Sequence, residues 1–379
     1  MMHVLLIAQD ILDYSVEYAN AVAASARVTL IAPAGRFQTQ AAFVDPVIDL
    51  QLVEWPRHRS FGNLRFLPRV IRLAERAQPD VVHFLCEGVV WLNLALPFFR
   101  KFGVVTTMHD VAYHPGDRSS QRVPRWCVDH LIGRSDKVIV HGDNLLKDAK
   151  ERYPRLADRL EIIPHVRMDR YAALARRKGM RRQRDGKINI LFFGRIHAYK
   201  GLDVLIRSIP EVASSCADIR VIIAGKGDDL ENYRQLMVDP RFFDIRDRFI
   251  SDEETAQLFT DADMVVLPYI EASQSGVMAI ANSFAAPVIV TDVGELGRSV
   301  EHDRTGLVVP ARDEKSLASA IIRLAADLPL RTRLGHAGRE AADRLASPQV
   351  VAERAMKIYQ LLSARRPPRA AALVPSPGR

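Results

Sequence analysis

Short apolar, β-branched runs recur along the chain, and helical stretches separate them. In the first half, His3–Ala8, Arg27–Ala32, Val81–Phe84, Gly103–Thr107 and Lys137–Val140 read as strands. Between the first two, Val16, Ala19, Val22 and Ala23 fall at helical spacing. Runs this short, joined through helices, predict parallel strands with crossover connections. Their near-continuous apolar character fits strands buried on both faces. The pattern breaks at Met168–Lys187, a basic stretch poor in β-branched residues that contains Gly179 and Gly186. It restarts with Ile188–Phe193, Ile219–Ala224, Phe249–Ile250, Met264–Leu267, Val288–Val290 and Gly306–Val309. The expectation is an α/β chain of two Rossmann-like doubly wound domains, residues 1–170 and 188–347, joined by a basic linker over 171–187. A last helix over 348–365 carries Val351, Ala355, Ile358 and Leu362 and can return to the first domain. The tail over 366–379, with four prolines, reads as disordered.

In open parallel sheets, ligands bind beyond the carboxyl ends of the strands. Two such domains facing each other enclose a cleft between those edges. Chemistry is therefore expected just after strands.

Composition narrows the picture. At 379 residues, 48% hydrophobic and 26% charged, the chain suits two globular domains and excludes a disordered, collagen-like or coiled-coil chain. The longest apolar run, Gly88–Phe99, is about half the length that spans a bilayer. The N-terminus lacks the basic start of a signal peptide, so a cytoplasmic protein is expected. Cys86, Cys127 and Cys216 stand far apart, which argues against a disulfide framework or a zinc site. The net charge of +8 is clustered. Arg57–Arg76 holds six arginines and one acid, Tyr171–Lys187 seven basic residues and one acid, and the stretch after Ala364 four arginines and no acid. Such clusters attract phosphate-rich partners or an anionic membrane face, although solvated surface has the same composition.

Four strand ends carry candidate chemistry. In Phe193–Asp203, Gly194 follows a strand, and Arg195 and Lys200 stand five residues apart before a helix. Two cations near a helix N-terminus suit a diphosphate, where a solvated loop is the plain alternative. In Leu267–Ala279, the amides of Ser275, Gly276 and Val277 can cradle phosphate oxygens, and Glu271 can accept from a sugar or ribose hydroxyl. Gly225 and Gly227 form half of a dinucleotide fingerprint, but position 230 is leucine, so the turn suits a nucleotide pocket better than NAD. His109 and Asp110 follow a first-domain strand, and His165 ends Ile162–His165. No nucleophile elbow, P-loop, His-Glu-x-x-His or Asp-x-Asp occurs. The site is expected to hold no metal and no cofactor, and to stabilise a leaving diphosphate with protein cations and helix ends.

Together these residues resemble the retaining glycosyltransferases of the GT-B fold, glycosyltransferase family 4. The resemblance rests on Gly194–Asp203, Ile223–Gly227, Ala262–Tyr269, Gln274–Val277 and Pro287–Glu295, and more loosely on Thr107–Asp110 and Ile163–His165. It implies a nucleoside-diphosphate sugar as donor, held at the diphosphate by Arg195, Lys200 and the amides of Ser275–Val277. It further implies that His109 touches the donor sugar at its 6-hydroxyl and that Gly225 and Gly227 flank the base. The acceptor would be a carbohydrate or lipid-linked molecule of surface polysaccharide or glycolipid synthesis, with no nucleic acid involved. The family's two motif glutamates are replaced by Ala272 and Ile280, with Glu271 one place earlier, as in a variant branch. A sugar-nucleotide epimerase and a catalytically silent binding relative are the rival readings. A helix beginning at Pro68, with Arg65, Arg69, Arg72 and Arg76 near one stripe, could place the protein on the inner face of the plasma membrane.

Overall fold

The computed structural model describes residues 1–111, 123–228 and 230–365. The tail 366–379, whose disorder the sequence suggests, lies outside them. The first sheet contains β1 (His3–Ile7), β2 (Arg27–Pro33), β3 (Asp49–Val53), β4 (Val81–Phe84), β5 (Gly103–Thr107), β6 (Lys137–Val140) and β7 (Leu160–Ile162). The second contains β8 (Ile188–Phe193), β9 (Ile219–Gly225), β10 (Phe243–Asp247), β11 (Met264–Leu267), β12 (Val288–Thr291) and β13 (Leu307–Val309). All pairings are parallel, in the orders β3-β2-β1-β4-β5-β6-β7 and β10-β9-β8-β11-β12-β13. The strand order reverses between β1 and β4 and again between β8 and β11, and each reversal opens a crevice at the carboxyl ends of the strands. The central strands are fully buried, as their apolar runs require.

Several expectations are corrected. Phe249–Ile250 is not a strand. The edge strand of the second sheet is β10, a half-buried run in which acids and an arginine interleave with Phe243 and Ile245. Phe249 is 77% exposed, and Ile250 leads into Ser251, which caps the next helix. β3 and β7 were not anticipated, since edge strands need no continuous apolar run. The basic helix starts at Asn63 and carries Pro68 in its interior. Its buried stripe is Phe66, Val70 and Ala74, so the first turn is needed to seat Phe66. Part of the expected linker is also helical, because Arg170–Arg177 buries Tyr171, Leu174 and Ala175 in the shared core. Arg170 itself is 6% exposed. Its guanidinium reaches Asp13 and Asp252, and its amide donates to Glu17 at 2.7 Å, joining both halves.

The last helix, Pro348–Ala364, crosses back to the first sheet. Tyr359 Oη lies 2.8 Å from Tyr18 Oη and 2.7 Å from His83 Nδ1. No described helix is long and apolar enough to cross a membrane.

Candidate active site

β8 ends in Gly194, whose φ of +105° lies where side chains are strained. A Cβ there would lie 3.2 Å from Lys200 Nζ and 3.3 Å from Val277 Cγ2. The strand end, the lysine and the start of the Gly276–Ser283 helix therefore converge on one point. Gly225 and Gly227 make this possible from behind, since a Cβ on either would come 1.9 Å from the carbonyl oxygen of Gly194 or Ile196. They let the turn after β9 lie flat on the loop after β8, with Ile196 bridged to Gly227.

Lys200 ends a single 3₁₀ turn, Ala198–Lys200, and is 8% exposed. Its ammonium sits 5.2 Å from the Tyr269 ring centre. Burial lowers its pKa to about 8, Arg195 pushes the same way against Tyr199, and among the described residues no carboxylate contributes. A buried cation without a carboxylate is an anion site in waiting. Arg195 is exposed at the mouth and is close enough to act on Lys200, Tyr199 and Tyr269.

The loop after β11 supplies the rest of this side. Ser275 Oγ accepts from Met278 N–H and caps the Gly276–Ser283 helix. The amides of Gly276 and Val277 belong to its first turn, which has no intrahelical acceptors. Glu271 is exposed on the rim, its amide donating to Tyr199 O at 3.4 Å. Ala272 and Ile280 are buried, at 7% and 4% exposure, so the two positions that are glutamates in the resembled motif are core positions here.

The first sheet faces this loop with the ends of β4, β5 and β6. Ser273 Oγ donates to Asp110 Oδ1, and Gln274 Nε2 lies 3.5 Å from His109 Nδ1. His109 is 2% exposed, and its Nε2 donates to Leu85 O at 2.9 Å. Glu87, just past β4, accepts the amides of His109 and Asp110 at 3.3 and 3.2 Å. Burial, with Asp110 adding, raises its pKa to about 7. His141, just past β6, touches His109 Nδ1 at 3.1 Å. His165 stands behind, its ring centroid 5.4 Å from that of His141, and burial lowers its pKa to about 3. The Tyr14 ring lies within 5.3 Å of all three histidine rings. His109, Asp110 and His165 are thus brought together in one half of the cleft, and Gly194, Lys200 and Ser275–Val277 in the other.

Comparison with known proteins decides what this arrangement belongs to. A model described as Glycosyltransferase Family 4 matches residues 14–166, and one described as Glycosyl transferases group 1 matches residues 187–327. Over 321 residues the chain is 30% identical to the phosphatidyl-myo-inositol mannosyltransferase of Mycobacterium leprae, covering 81% of each. The chain belongs to glycosyltransferase family 4. Similar also is the D-inositol 3-phosphate glycosyltransferase of Pseudarthrobacter chlorophenolicus, 26% identical over 301 residues, 74% of this chain and 72% of that one. Among solved structures, sucrose-phosphate synthase from Thermosynechococcus elongatus has a TM-score of 0.72 at 18% identity, covering 96% of this chain and all of that one. Anabaena HepE in complex with UDP and glucose has a TM-score of 0.70 at 15% identity, covering 95% and 100%. The fold is GT-B, with two parallel-sheet domains, and the protein is a glycosyltransferase.

Sequence reading of this glycosyltransferase missed Tyr14, Glu87 and His141. Glu87 and His141 each follow a strand of the first sheet, the same signal that singled out His109. Tyr14 carried no signal, because a helix-face tyrosine looks like core.

Proposed function

We propose that this glycosyltransferase moves a hexose from a nucleoside-diphosphate sugar to a carbohydrate or lipid-linked acceptor, with retained configuration and without a metal. The observation that carries the reading is the buried Lys200 ammonium beside Gly194 and the first turn of Gly276–Ser283. Those groups, with Arg195 at the mouth, suit the two phosphates of a leaving diphosphate. Among the described residues, no cluster of three potential ligands is placed to hold a metal ion. HepE, which shares the fold, has been solved with UDP-glucose.

In this reading the C1–O bond to the diphosphate breaks as the acceptor oxygen bonds to C1 on the same face, and the acceptor proton passes to the leaving phosphate oxygen. The His109 ring faces the donor sugar, Asp110 lies beside it, and Glu271 accepts a hydroxyl at the rim. Gly225 and Gly227 set the turn beside the base. The acceptor is brought by a membrane face. Phe61, just before the basic helix, and Leu64 on it, 89% and 68% exposed, stand with the exposed Arg65, Arg69, Arg72 and Arg76 of that helix. Leu94 and Phe98, 58% and 51% exposed, extend the patch, and Trp91 Nε1 ties it to His58 O at 2.8 Å. Apolar side chains ringed by arginines suit an anionic leaflet. A cytoplasmic enzyme working at the inner face of the plasma membrane fits this surface.

The test is a panel of nucleotide sugars incubated with the purified chain, with and without EDTA. Slow release of a nucleoside diphosphate, unchanged by chelation, is expected. Binding without release would mark the silent relative that Ala272 and Ile280 suggest, and an isomerised sugar would mark an epimerase.

A further inference from the structure

Two backbone carbonyls fix protons on the buried histidines of the cleft. Leu85 O accepts from His109 at 2.9 Å, so His109 Nε2 carries a hydrogen. Ile163 O accepts from His141 at 2.9 Å, so His141 Nδ1 carries one as well. The two remaining nitrogens, His109 Nδ1 and His141 Nε2, face each other at 3.1 Å. In two neutral rings these nitrogens would present lone pairs to each other, a repulsive contact that the Gln274 Nε2 amide, 3.5 Å from His109 Nδ1, does not bridge. One added proton makes the contact an N–H···N hydrogen bond. We propose that His109 and His141 share one proton, and that His141 is the positioning residue that keeps the His109 ring charged and oriented toward the donor sugar.

The surroundings decide how firmly that proton is held. Burial opposes it and lowers the pKa of both rings. His83 and His165, each lowered to about 3 by burial, stay neutral and compete weakly. Tyr14, its pKa raised by burial, stays uncharged. Acids act the other way. Asp10 and Asp110 raise the His109 pKa, and Glu87 accepts the two amides beside it. Asp10 and Asp110 follow β1 and β5, so a single positive charge on the pair meets negative charge from two strand ends, while Glu87, raised to about 7 by burial, is largely protonated at about pH 6. A bound diphosphate adds more. The pair is charged below its ionisation and loses its proton as pH rises, so an anionic donor binds with proton uptake and more weakly at higher pH.

The first test needs no donor. In the full chain with isotope-labelled histidine ring nitrogens, magnetic coupling across the hydrogen bond between His109 Nδ1 and His141 Nε2 is expected at about pH 6, and is lost in His141→Gln. Two neutral, uncoupled rings throughout about pH 6 to pH 8 would overturn the proposal. The second test rests on the donor reading above and uses UDP-glucose and GDP-mannose, whose diphosphates do not titrate near neutral pH. Between about pH 6 and pH 7.5, wild-type affinity is expected to fall with rising pH, by up to about tenfold per unit. His141→Gln can still donate to His109 Nδ1 but carries no charge, so its slope should be smaller by the share of the pair. Equal slopes in the two proteins would also overturn the proposal. Failure of both sugars to bind counts against the donor reading, and the ring-nitrogen result still decides the shared proton.

Discussion

The Glu295 carboxylate accepts the backbone N–H of Asn144 at 3.1 Å, although 151 residues separate them. Asn144 Nδ2 returns a bond to Gly294 O at 2.8 Å. The acid meets the first turn of the Asp143–Arg152 helix, where negative charge is favoured. Gly142 leaves the room, since a Cβ there would lie 2.1 Å from the carboxyl carbon. The loops after β6 and β12 are thereby tied, one from each domain.

Glu295→Ala removes that tie without touching the phosphate-binding groups. Losing one inter-domain bond of about 1–2 kcal/mol should lower kcat/KM for the donor by about tenfold, with little change in Tm. Small-angle scattering should show a more open particle. Unaltered scattering and kinetics would mean that the tie has no part in closing the cleft.

Lys200→Met should stabilise the empty protein and cripple it. The folded pKa of about 8 lies below that of a free lysine, so the buried charge destabilises the fold below that pH, and the cost is relieved as pH rises through about 8 to 10. At pH 7 the variant should melt higher than wild type, while donor turnover falls by about 10² or more. For the wild type, kcat/KM should decline above about pH 8, as the free enzyme loses this proton. A variant that turns over normally sinks the diphosphate assignment.

Gly201→Ala should unfold the site from behind. Its φ is +65°, and a Cβ would come 1.9 Å from the Pro268 carbonyl oxygen. Backbone cannot move as a side-chain tip can, so denaturant titration should show a loss of roughly 1–3 kcal/mol. Wild-type stability would show that the 198–201 turn shifts freely.

Glu17→Gln should change how stability responds to pH. Burial raises the Glu17 pKa to about 7, with the Arg170 amide opposing. A raised carboxyl favours the fold at low pH, and its contribution is lost as pH climbs from about 4.5 to about 7. The amide keeps an acceptor for the Arg170 N–H. Its gain over wild type should therefore be larger at pH 8 than at pH 5, as read from urea midpoints. A gain that does not vary with pH would place the charge of Glu17 elsewhere.

Vesicle co-sedimentation tests the basic patch. Wild type should bind anionic vesicles and leave neutral ones, and Arg65, Arg69 and Arg72 to Glu should abolish binding, each arginine contributing about 1 kcal/mol. Equal recovery in the supernatant with both vesicle types at low salt removes the membrane from the proposal.

Two doubly wound domains were legible in the apolar runs because central parallel strands are buried on both faces. β3, β7 and β10 were less so, because half-buried edges look like loops. The phosphate-side residues could be read because a glycine, two cations and a helix start lie within a few residues of one strand end. The first-domain side could be read only in part. Glu87, His109 and His141 come from three strands and meet only through the sheet order β4-β5-β6, which no local spacing encodes. Arg170 looked like the edge of a linker, yet its charge is neutralised by acids 157 residues before it and 82 after it.

Tyr18 and Tyr359 touch although they stand 341 positions apart, and Gly103 has Leu362 3.1 Å from where its Cβ would be. During synthesis, therefore, the sheet made first stays uncovered on that face until residues 348–364 have left the ribosome. The second domain can complete its own core meanwhile. The nascent first domain is then the part exposed to aggregation or chaperone capture, and removal of residues 348–365 should yield an insoluble product rather than a shortened enzyme.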